Sequence, residues 1–162
     1  MTRAQTPHSL AVAVLLGWAG LASAQAQTVS AARSGHKVLY VVMFRADWCP
    51  PCKVVEPRLD QALDRLRDPA IEYVEIDISS SGASEIGAHA AFDREIVPQY
   101  NRWLGLTGFA AVVDATTKQT LGCVNMLYDA TSMATHIRNL KAHALRDSQT
   151  MDLTCPEANN PV

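Results

Sequence analysis

The stretch that decides the fold runs from Val38 to Cys52 and reads Val-Leu-Tyr-Val-Val-Met-Phe-Arg-Ala-Asp-Trp-Cys-Pro-Pro-Cys. Its first part, Val38 to Phe44, is an unbroken apolar run, and its length and valine content predict a strand buried on both faces. After a short polar turn, Cys49 and Cys52 stand directly before a segment with helical periodicity. A strand, a cysteine pair and a helix therefore follow one another without a long connection.

The segment from Lys53 to Arg67 has the periodicity of an amphipathic helix. Pro50 and Pro51 fall in its first turn, where amide hydrogens have no helical acceptor to lose. Pro57 lies inside the helix and is expected to kink it. The apolar positions recur at spacings of three and four, and they are Val54, Val55, Leu59, Leu63 and Leu66.

Strand and helix signals alternate along the rest of the chain, which predicts an α/β fold. The N-terminus of the helix that carries the cysteines should lie at the carboxyl end of the first strand, after a right-handed crossover. Tyr100 and Trp103 are expected to be core residues. The further predicted elements are a strand over 71–78, one bent helix or two short helices between 84 and 104, strands over 109–114 and 120–126, and a helix over 131–146 capped by Thr131 or Ser132.

Composition limits the functional classes. The chain has 162 residues, of which 48% are hydrophobic, and a net charge of −2, so it forms about one domain. That charge gives no general reason to bind nucleic acid or anionic lipid. Four cysteines are too few to replace a hydrophobic core, so their chemistry is the more informative feature.

The N-terminal residues have the layout of a secretory signal peptide. Arg3 is followed by the apolar run Leu10 to Leu21, and cleavage after Ala24 or after Ala26 fits the small residues there. The run is shorter than a membrane-spanning helix, so we expect no permanent anchor. We predict a signal peptide over 1–26, a domain over 37–146, a flexible C-terminal tail over 147–162, and export to the periplasm or an equivalent oxidising compartment.

The cysteine pair has the spacing of a redox site. Cys49 is expected near the positive end of the helix dipole, which favours its thiolate, so Cys49 is predicted to attack a substrate disulfide. Cys52, three residues later, is placed to resolve the mixed disulfide. Trp48 supplies an apolar wall and a flat surface for a partner polypeptide. Arg45 and Asp47 are interpreted as solvated loop charges rather than catalytic groups.

The cysteines and histidines also allow other interpretations. A zinc half-site needs further ligands in a matching arrangement, and His36, His89, His136 and His143 have no ligand spacing, so no metal is predicted. A purely structural Cys49–Cys52 disulfide closes too small a loop to stabilise much. Cys123 is either a small buried strand residue or the partner of Cys155 in a second disulfide.

The strand, the Trp-Cys-x-x-Cys motif, Lys53, Pro57 and the order of elements resemble the thioredoxin family over Lys37 to Arg146. The resemblance implies a thioredoxin-like fold with a central mixed sheet of about four strands flanked by helices. It also implies thiol-disulfide exchange with protein substrates through Cys49 and Cys52, without a cofactor. An exported, monomeric member of this kind would need a membrane or thioredoxin-like electron donor to reduce its disulfide after each exchange.

The sequence departs from the family pattern at two places. The family has a cis-proline before its third strand, where this chain has Ala110, so the loop is expected to be trans and differently shaped, with Phe109 and Ala110 in substrate binding. The family's buried acid corresponds to Met43, and Glu56 or Glu75 is the predicted substitute as proton acceptor. These departures motivate the alternative of a weakened binding or assembly module that serves a dedicated client.

The direction of electron flow is predicted from the two residues between the cysteines. Pro50 and Pro51 carry neither charge nor amide hydrogen, so the Cys49 thiolate has fewer donors and is less stabilised. A less stabilised thiolate belongs to a more reducing couple. The sequence therefore favours a reductase or isomerase over an oxidase.

Overall fold

The structure is a computed structural model that describes residues 36–146 and 154–158. The predicted signal peptide over 1–26 lies outside the described residues. No helix of the described ranges is long and apolar enough to cross a membrane. The elements are β1 (Leu39–Arg45), α1 (Cys52–Leu66), β2 (Ile71–Asp77), α2 (Ser81–Asp93), α3 (Val97–Trp103), β3 (Phe109–Asp114), β4 (Thr120–Asn125) and α4 (Ala130–Ala144).

The strands form a mixed sheet of four in the order β2-β1-β3-β4. β1 runs parallel to β2, with α1 as the crossover between them, and antiparallel to β3. β4 continues the hairpin antiparallel to β3, with an irregularity between Val112 and Val113. This confirms the predicted α/β class and the thioredoxin-like sheet flanked by helices.

The sheet separates two hydrophobic cores because side chains alternate between its faces. On one face, Leu39, Val41 and Met43 of β1 pack with buried residues of α1 and α4. On the other face, Val42 and Phe44 pack with residues of α2 and α3. β1 is thus buried on both faces, as its unbroken apolar run predicts.

Helix α1 begins at Cys52 and continues through Pro57 to Leu66. Its buried residues include Val55 and Leu59, which face the sheet. At its end Arg67 adopts a left-handed conformation and donates its backbone N–H to the Leu63 carbonyl at 2.9 Å. The helix therefore holds Cys52 at its first position, directly after the loop that leaves β1.

The segment between β2 and β3 forms two short helices, one of the two alternatives predicted. Trp103, at the end of α3, is fully buried, and its ring meets Phe44 and Phe109 with centroids 5.6 and 5.5 Å away. Tyr100 is half-buried and its hydroxyl lies 3.2 Å from Ser84 Oγ. These contacts confirm the interpretation of both aromatic residues as core.

Helix α4 is capped by a residue other than the two predicted. Asp129 is its N-cap, and its side chain accepts a hydrogen bond from the Ser132 backbone N–H at 2.7 Å. The bonds from this exposed end of the helix hold the pKa of Asp129 below its usual value. Thr131 and Ser132 lie inside the helix because the chain turns helical one residue earlier than expected.

The C-terminal segment differs from the flexible tail expected over 147–162. Of its residues, 154–158 are described, and Cys155 forms a disulfide with Cys123 of β4. Thr154 Oγ1 accepts the Cys123 backbone N–H at 2.7 Å, and the Pro156 carbonyl accepts from Trp103 Nε1 at 3.1 Å. We call residues 154–156 the C-terminal clip. The clip is held in place because it accepts hydrogen bonds from a backbone amide of an edge strand and from a buried indole N–H.

Candidate active site

Three segments of the chain meet at one edge of the sheet. The Cys49 loop leaves the carboxyl end of β1, Gly108 precedes β3, and Met126 follows β4. The pairing of Phe44 with Phe109, and of Phe109 with Asn125, places these three points side by side. This edge of the sheet is the candidate active site.

Cys49 and Cys52 form a disulfide at the N-terminus of α1, with Cα atoms 5.4 Å apart. The Cys52 backbone N–H points at Cys49 Sγ, at 3.2 Å. Cys49 and Cys52 are 2% and 1% exposed, while Trp48 beside them is 62% exposed. The sulfur atoms therefore lie just beneath the surface, next to an exposed aromatic ring.

Gly108 packs directly against the cysteine loop. Its N–H donates to the Phe44 carbonyl at 2.9 Å, and Cys52 Sγ lies 4.0 Å from the same carbonyl oxygen. A Cβ at position 108 would stand 2.7 Å from Pro51 Cβ and 3.5 Å from Cys49 Sγ, and the φ of Gly108 is +90°. Only glycine fits this backbone and this space without strain. Gly108 therefore brings the β3 loop against the disulfide.

Phe109 and Ala110, predicted to bind substrate, face the interior instead. Phe109 is 4% exposed and stacks on Phe44 with ring centroids 5.0 Å apart. Ala110 is fully buried in the core that contains Met43. Both are strand residues whose side chains point into the two cores, so Gly108 is the residue at the site. No peptide bond of the described residues is cis, so the bond before Ala110 is trans as expected.

Arg45 is the centre of an ion cluster rather than a solvated loop charge. Its guanidinium contacts Asp47 at 2.8 Å, Glu56 at 3.0 Å and Asp77 at 2.5 Å. The bonds to Asp47 and Glu56 raise the pKa of Arg45 above its ordinary value. We call Arg45, Asp47, Glu56 and Asp77 the Arg45 cluster, and it joins the end of β1 to α1 and β2.

Asp77 also fixes the loop that follows β2. Its Oδ1 accepts from the backbone N–H of Ser79 at 2.7 Å and from the Ser79 hydroxyl, whose oxygen in turn accepts the Asp47 N–H at 2.8 Å. Burial raises the pKa of Asp77, but the bonds from Ser79 and the charge of Arg45 outweigh it and hold that pKa below its usual value. Asp77 thus stays ionised and ties the end of β1, the cysteine loop and the loop after β2 together.

The two predicted proton acceptors are not buried acids. Met43 is fully buried in the core with both cysteines, and its partner on β2 is Glu75. Glu75 is exposed and lies 3.4 Å from the Tyr73 hydroxyl. Glu56 is bound to Arg45. The proton-accepting role of Glu56 or Glu75 stays a prediction, since neither carboxylate is enclosed beside Cys52.

Exposed apolar side chains lie at the same end of the sheet as the cysteine loop. Met126 and Leu127, after β4, are 50% and 84% exposed. Arg58 of α1 donates to the carbonyls of Met126 and Tyr128 at 2.9 and 3.1 Å, which fixes that loop against the helix. Together with Trp48, the loop offers an apolar surface at this edge of the sheet.

Among the described residues, no group of His, Cys, Asp and Glu is arranged to hold a metal ion. Cys123 and Cys155 are bound to each other, and so are Cys49 and Cys52, so none of the cysteines there is free. Sequence reasoning missed Gly108 and the Arg45 cluster. A glycine directly before a buried strand is a signal of close backbone approach and could have indicated the first; the cluster depends on residues far apart in sequence.

The comparison with protein families matches residues 23–92 to the thioredoxin family model, a range that contains β1, α1, β2 and the cysteine motif. Thioredoxin-1 of Schizosaccharomyces pombe is 40% identical over 52 residues, which are 32% of this chain and 50% of that protein. Thioredoxin H8 of Arabidopsis thaliana is 38% identical over 50 residues, which are 31% of this chain and 32% of that protein. The chain spans half or less of the length of these curated relatives.

Solved structures give more distant matches. A thiol:disulfide interchange protein of the thioredoxin family from Chlorobium tepidum is 19% identical with a TM-score of 0.45, over 67% of this chain and 82% of that one. A disulphide isomerase from Xylella fastidiosa is 16% identical with a TM-score of 0.38, over 67% of this chain and 80% of that one.

Proposed function

We propose that the chain is a thiol-disulfide oxidoreductase of the thioredoxin family that exchanges electrons with protein cysteines through Cys49 and Cys52. The observation that carries the proposal is the disulfide between these residues at the N-terminus of α1, beneath exposed Trp48. A cysteine at such an N-terminus has its thiolate favoured, and the thiolate is the attacking form.

The exchange uses each cysteine once. In the reduced chain, the Cys49 thiolate attacks a substrate disulfide, which forms a mixed disulfide and releases one substrate sulfur as a thiolate that takes up a proton. Cys52 loses its proton and attacks the Cys49 sulfur, which closes the Cys49–Cys52 disulfide and releases the second substrate thiol. Two electrons and two protons pass to the substrate. Trp48 and the loop at Met126 provide the apolar surface on which it docks.

We propose reduction or isomerisation as the direction. The Cys52 N–H donates to Cys49 Sγ, whereas Pro50 and Pro51 have no amide hydrogen to add. A weakly solvated thiolate favours the disulfide form of the chain and gives a reducing couple. The physiological electron donor, a membrane protein or another thioredoxin-like protein, then returns the pair to the dithiol state.

The test is the midpoint potential of the Cys49–Cys52 couple. The protein is equilibrated in thiol buffers of known potential, its free thiols are trapped, and each cysteine is mapped by mass. A value near or below roughly −270 mV supports a reductase, whereas a value near roughly −120 mV contradicts the proposed direction. The Cys123→Ala/Cys155→Ala variant, measured in parallel, isolates the couple from the second disulfide.

We propose that the protein works after export to the periplasm or an equivalent oxidising compartment. The support is the C-terminal clip, since disulfides such as Cys123–Cys155 persist mainly in oxidising compartments. Fractionation of cells that express the full chain, with N-terminal sequencing of the product, tests this. The expected product lies in the exported fraction and begins after Ala24 or Ala26; an uncleaved chain in the cytoplasm would refute it.

The second candidate function is a binding or assembly module without efficient turnover. It is favoured by the burial of both cysteines and by Met43 where the family has its acid. Turnover of insulin with dithiothreitol separates the two candidates. Turnover that disappears in Cys49→Ser supports the oxidoreductase, whereas stable client binding by both forms without turnover supports the module.

A further inference from the structure

The Arg45 cluster lies on both sides of the cysteine motif. Arg45 ends β1 and Asp47 stands two residues before Cys49. Glu56 follows Cys52 by four positions on α1, a spacing that stacks two side chains one turn apart with Cβ atoms about 6 Å from each other. The charges of the cluster are therefore close enough to the sulfur atoms to act on them.

The cluster carries more negative than positive charge. One guanidinium stands against three carboxylates, which leaves a net charge of −2. The side chains of Arg45, Glu56 and Asp77 are 18%, 31% and 22% exposed, whereas that of Asp47 is 76% exposed. Because three of the four groups are largely withdrawn from water, solvent and salt screen their field less than at an open surface.

The other charged groups around the motif do not remove this surplus. Arg58 is bound to backbone carbonyls of the loop after β4, and Lys53 is exposed beside Cys52. The loop from Leu104 to Gly108 has no charged residue. Asp60 of α1 and Glu75 of β2 act on Tyr73 together with Glu56, and Asp129, at the start of α4, interacts with Arg58. These three further carboxylates outnumber the positive charges of Arg58 and Lys53, so the negative surplus remains.

We propose that the Arg45 cluster makes the Cys49–Cys52 pair a stronger reductant, with Arg45 and Glu56 as positioning residues that set the local charge. This inference rests on the proposed function and explains its direction. The negative surplus of the cluster destabilises a thiolate on Cys49, whereas it has little effect on the disulfide, which is neutral. The field therefore disfavours the thiolate form of the reduced pair and favours transfer of its electrons to substrate. Arg45 moderates the effect by cancelling one of the three negative charges.

The test uses the pH dependence of Cys49 alkylation in the full-length reduced protein, with the modified residue identified by mass. Glu56→Gln removes a negative charge and is expected to raise the thiolate fraction about threefold below the thiol pKa. Arg45→Gln removes the positive charge and is expected to lower that fraction about threefold. The double variant restores the net charge and is expected to return close to wild type.

Two controls separate charge from shape. Arg45→Lys keeps the positive charge but loses the forked geometry of the guanidinium. In this variant the thiolate fraction of Cys49 is expected to follow pH as in wild type. Glu72→Gln removes the carboxylate of another ion pair, the one with Arg94. The Glu72 side chain is 26% exposed, which is close to the exposure of Glu56. Glu72 pairs with Tyr40, toward the opposite end of β1 from the motif, so this variant is expected to leave the thiolate fraction unchanged.

The sign of the shifts decides the outcome. Opposite shifts in Arg45→Gln and Glu56→Gln support the inference, whereas shifts of one sign, or none, overturn it, because loss of loop shape does not depend on the sign of the charge removed. Should Arg45→Gln fail to fold, Asp47→Asn and Asp47→Lys at the exposed end of the cluster replace it. Asp47→Lys changes the charge twice as much and must raise the thiolate fraction further than Asp47→Asn, whereas equal shifts overturn the inference. The titration needs no substrate, so failed turnover in wild type would refute the proposed function without affecting this test.

Discussion

The Cys49–Cys52 disulfide joins residues three positions apart at the start of α1, whereas Cys123–Cys155 joins residues 32 positions apart and fastens the C-terminal clip to β4. The first disulfide lies next to exposed Trp48 and to Gly108. The second belongs to the core around Trp103. The same bond is thus placed once where a partner can approach it and once where it is packed into the fold.

The difference lies in what each bond constrains. A disulfide stabilises a protein mainly by restricting the unfolded chain, and the restriction grows with the length of the loop that it closes. Opening Cys49–Cys52 releases a very short loop, so we expect the stability of the fold to depend little on this bond. Opening Cys123–Cys155 frees a segment that also bonds an edge amide and the Trp103 indole. The chain topology therefore suits the first bond to the exchange that we propose and the second to stability.

The largest effect is expected from Cys49→Ser, which should reduce insulin turnover with dithiothreitol to the level of the buffer control. The thiolate is the nucleophile, and serine does not replace it at neutral pH. Cys52→Ser is the matched variant, since it keeps the attacking sulfur and should accumulate a mixed disulfide visible on a non-reducing gel. Equal turnover in Cys49→Ser and wild type would refute the assignment of exchange to Cys49–Cys52 and of stability to Cys123–Cys155.

The double variant Cys123→Ala/Cys155→Ala is expected to lower the free energy of unfolding by about 3 to 4 kcal/mol, as a loop of this length implies. Its turnover should stay close to wild type, because the clip bonds β4 and Trp103 rather than the cysteine loop. Urea unfolding and the insulin assay measure the two quantities on one preparation. Lost turnover in a folded double variant would show that the second disulfide takes part in exchange.

Gly108→Ala is expected to cost about 1 to 3 kcal/mol and to slow exchange, because alanine is strained at φ +90° and its Cβ would press on Pro51. The matched control is Gly82→Ala in α2, where the added Cβ meets nothing within 4 Å and helix propensity favours alanine. Thermal unfolding compares the two. If Gly108→Ala proved as stable and active as Gly82→Ala, the glycine contact would not shape the site.

The smallest effect is expected from Asp77→Asn, about 1 kcal/mol of stability at pH 7. The pKa of Asp77 is lowered in the folded chain, so its ionisation stabilises the fold above the unfolded pKa, near 4, and this contribution is lost as pH falls through the folded pKa. The variant and wild type should therefore converge in stability below about pH 4. Unfolding followed by circular dichroism across that range checks this; a constant difference down to low pH would contradict it.

The predicted strands agree with the structure within one residue at every end because their patterns are local. The apolar run of β1 and the apolar spacing of α1 result from burial against the sheet, and burial repeats with the period of the element. The limits of α4 were less accurate. Asp129 accepts the Ser132 amide as N-cap, and several polar residues at that point could have done so.

The site was predictable only in part. Trp48, Cys49 and Cys52 are contiguous, so their chemistry is visible in the sequence. Phe109 and Ala110 are predicted to bind substrate because Ala110 aligns with a proline that this chain lacks. In the structure, the residue that contacts the cysteine loop is Gly108. β3 is buried on both faces, so each side chain from Phe109 onward enters one of the two cores, and the residue just before the strand is the one that reaches the site.

The sequence by itself determined the α/β class, the place of the cysteine pair between the first strand and its helix, and the choice of the attacking residue as a hypothesis, because these depend on neighbours in the chain. Only the tertiary structure decided that Arg45 gathers Asp47, Glu56 and Asp77, that Gly108 packs on Pro51, and that Cys155 reaches Cys123. The physical reason is that such contacts join residues up to 57 positions apart, whose meeting depends on how the sheet orders its strands.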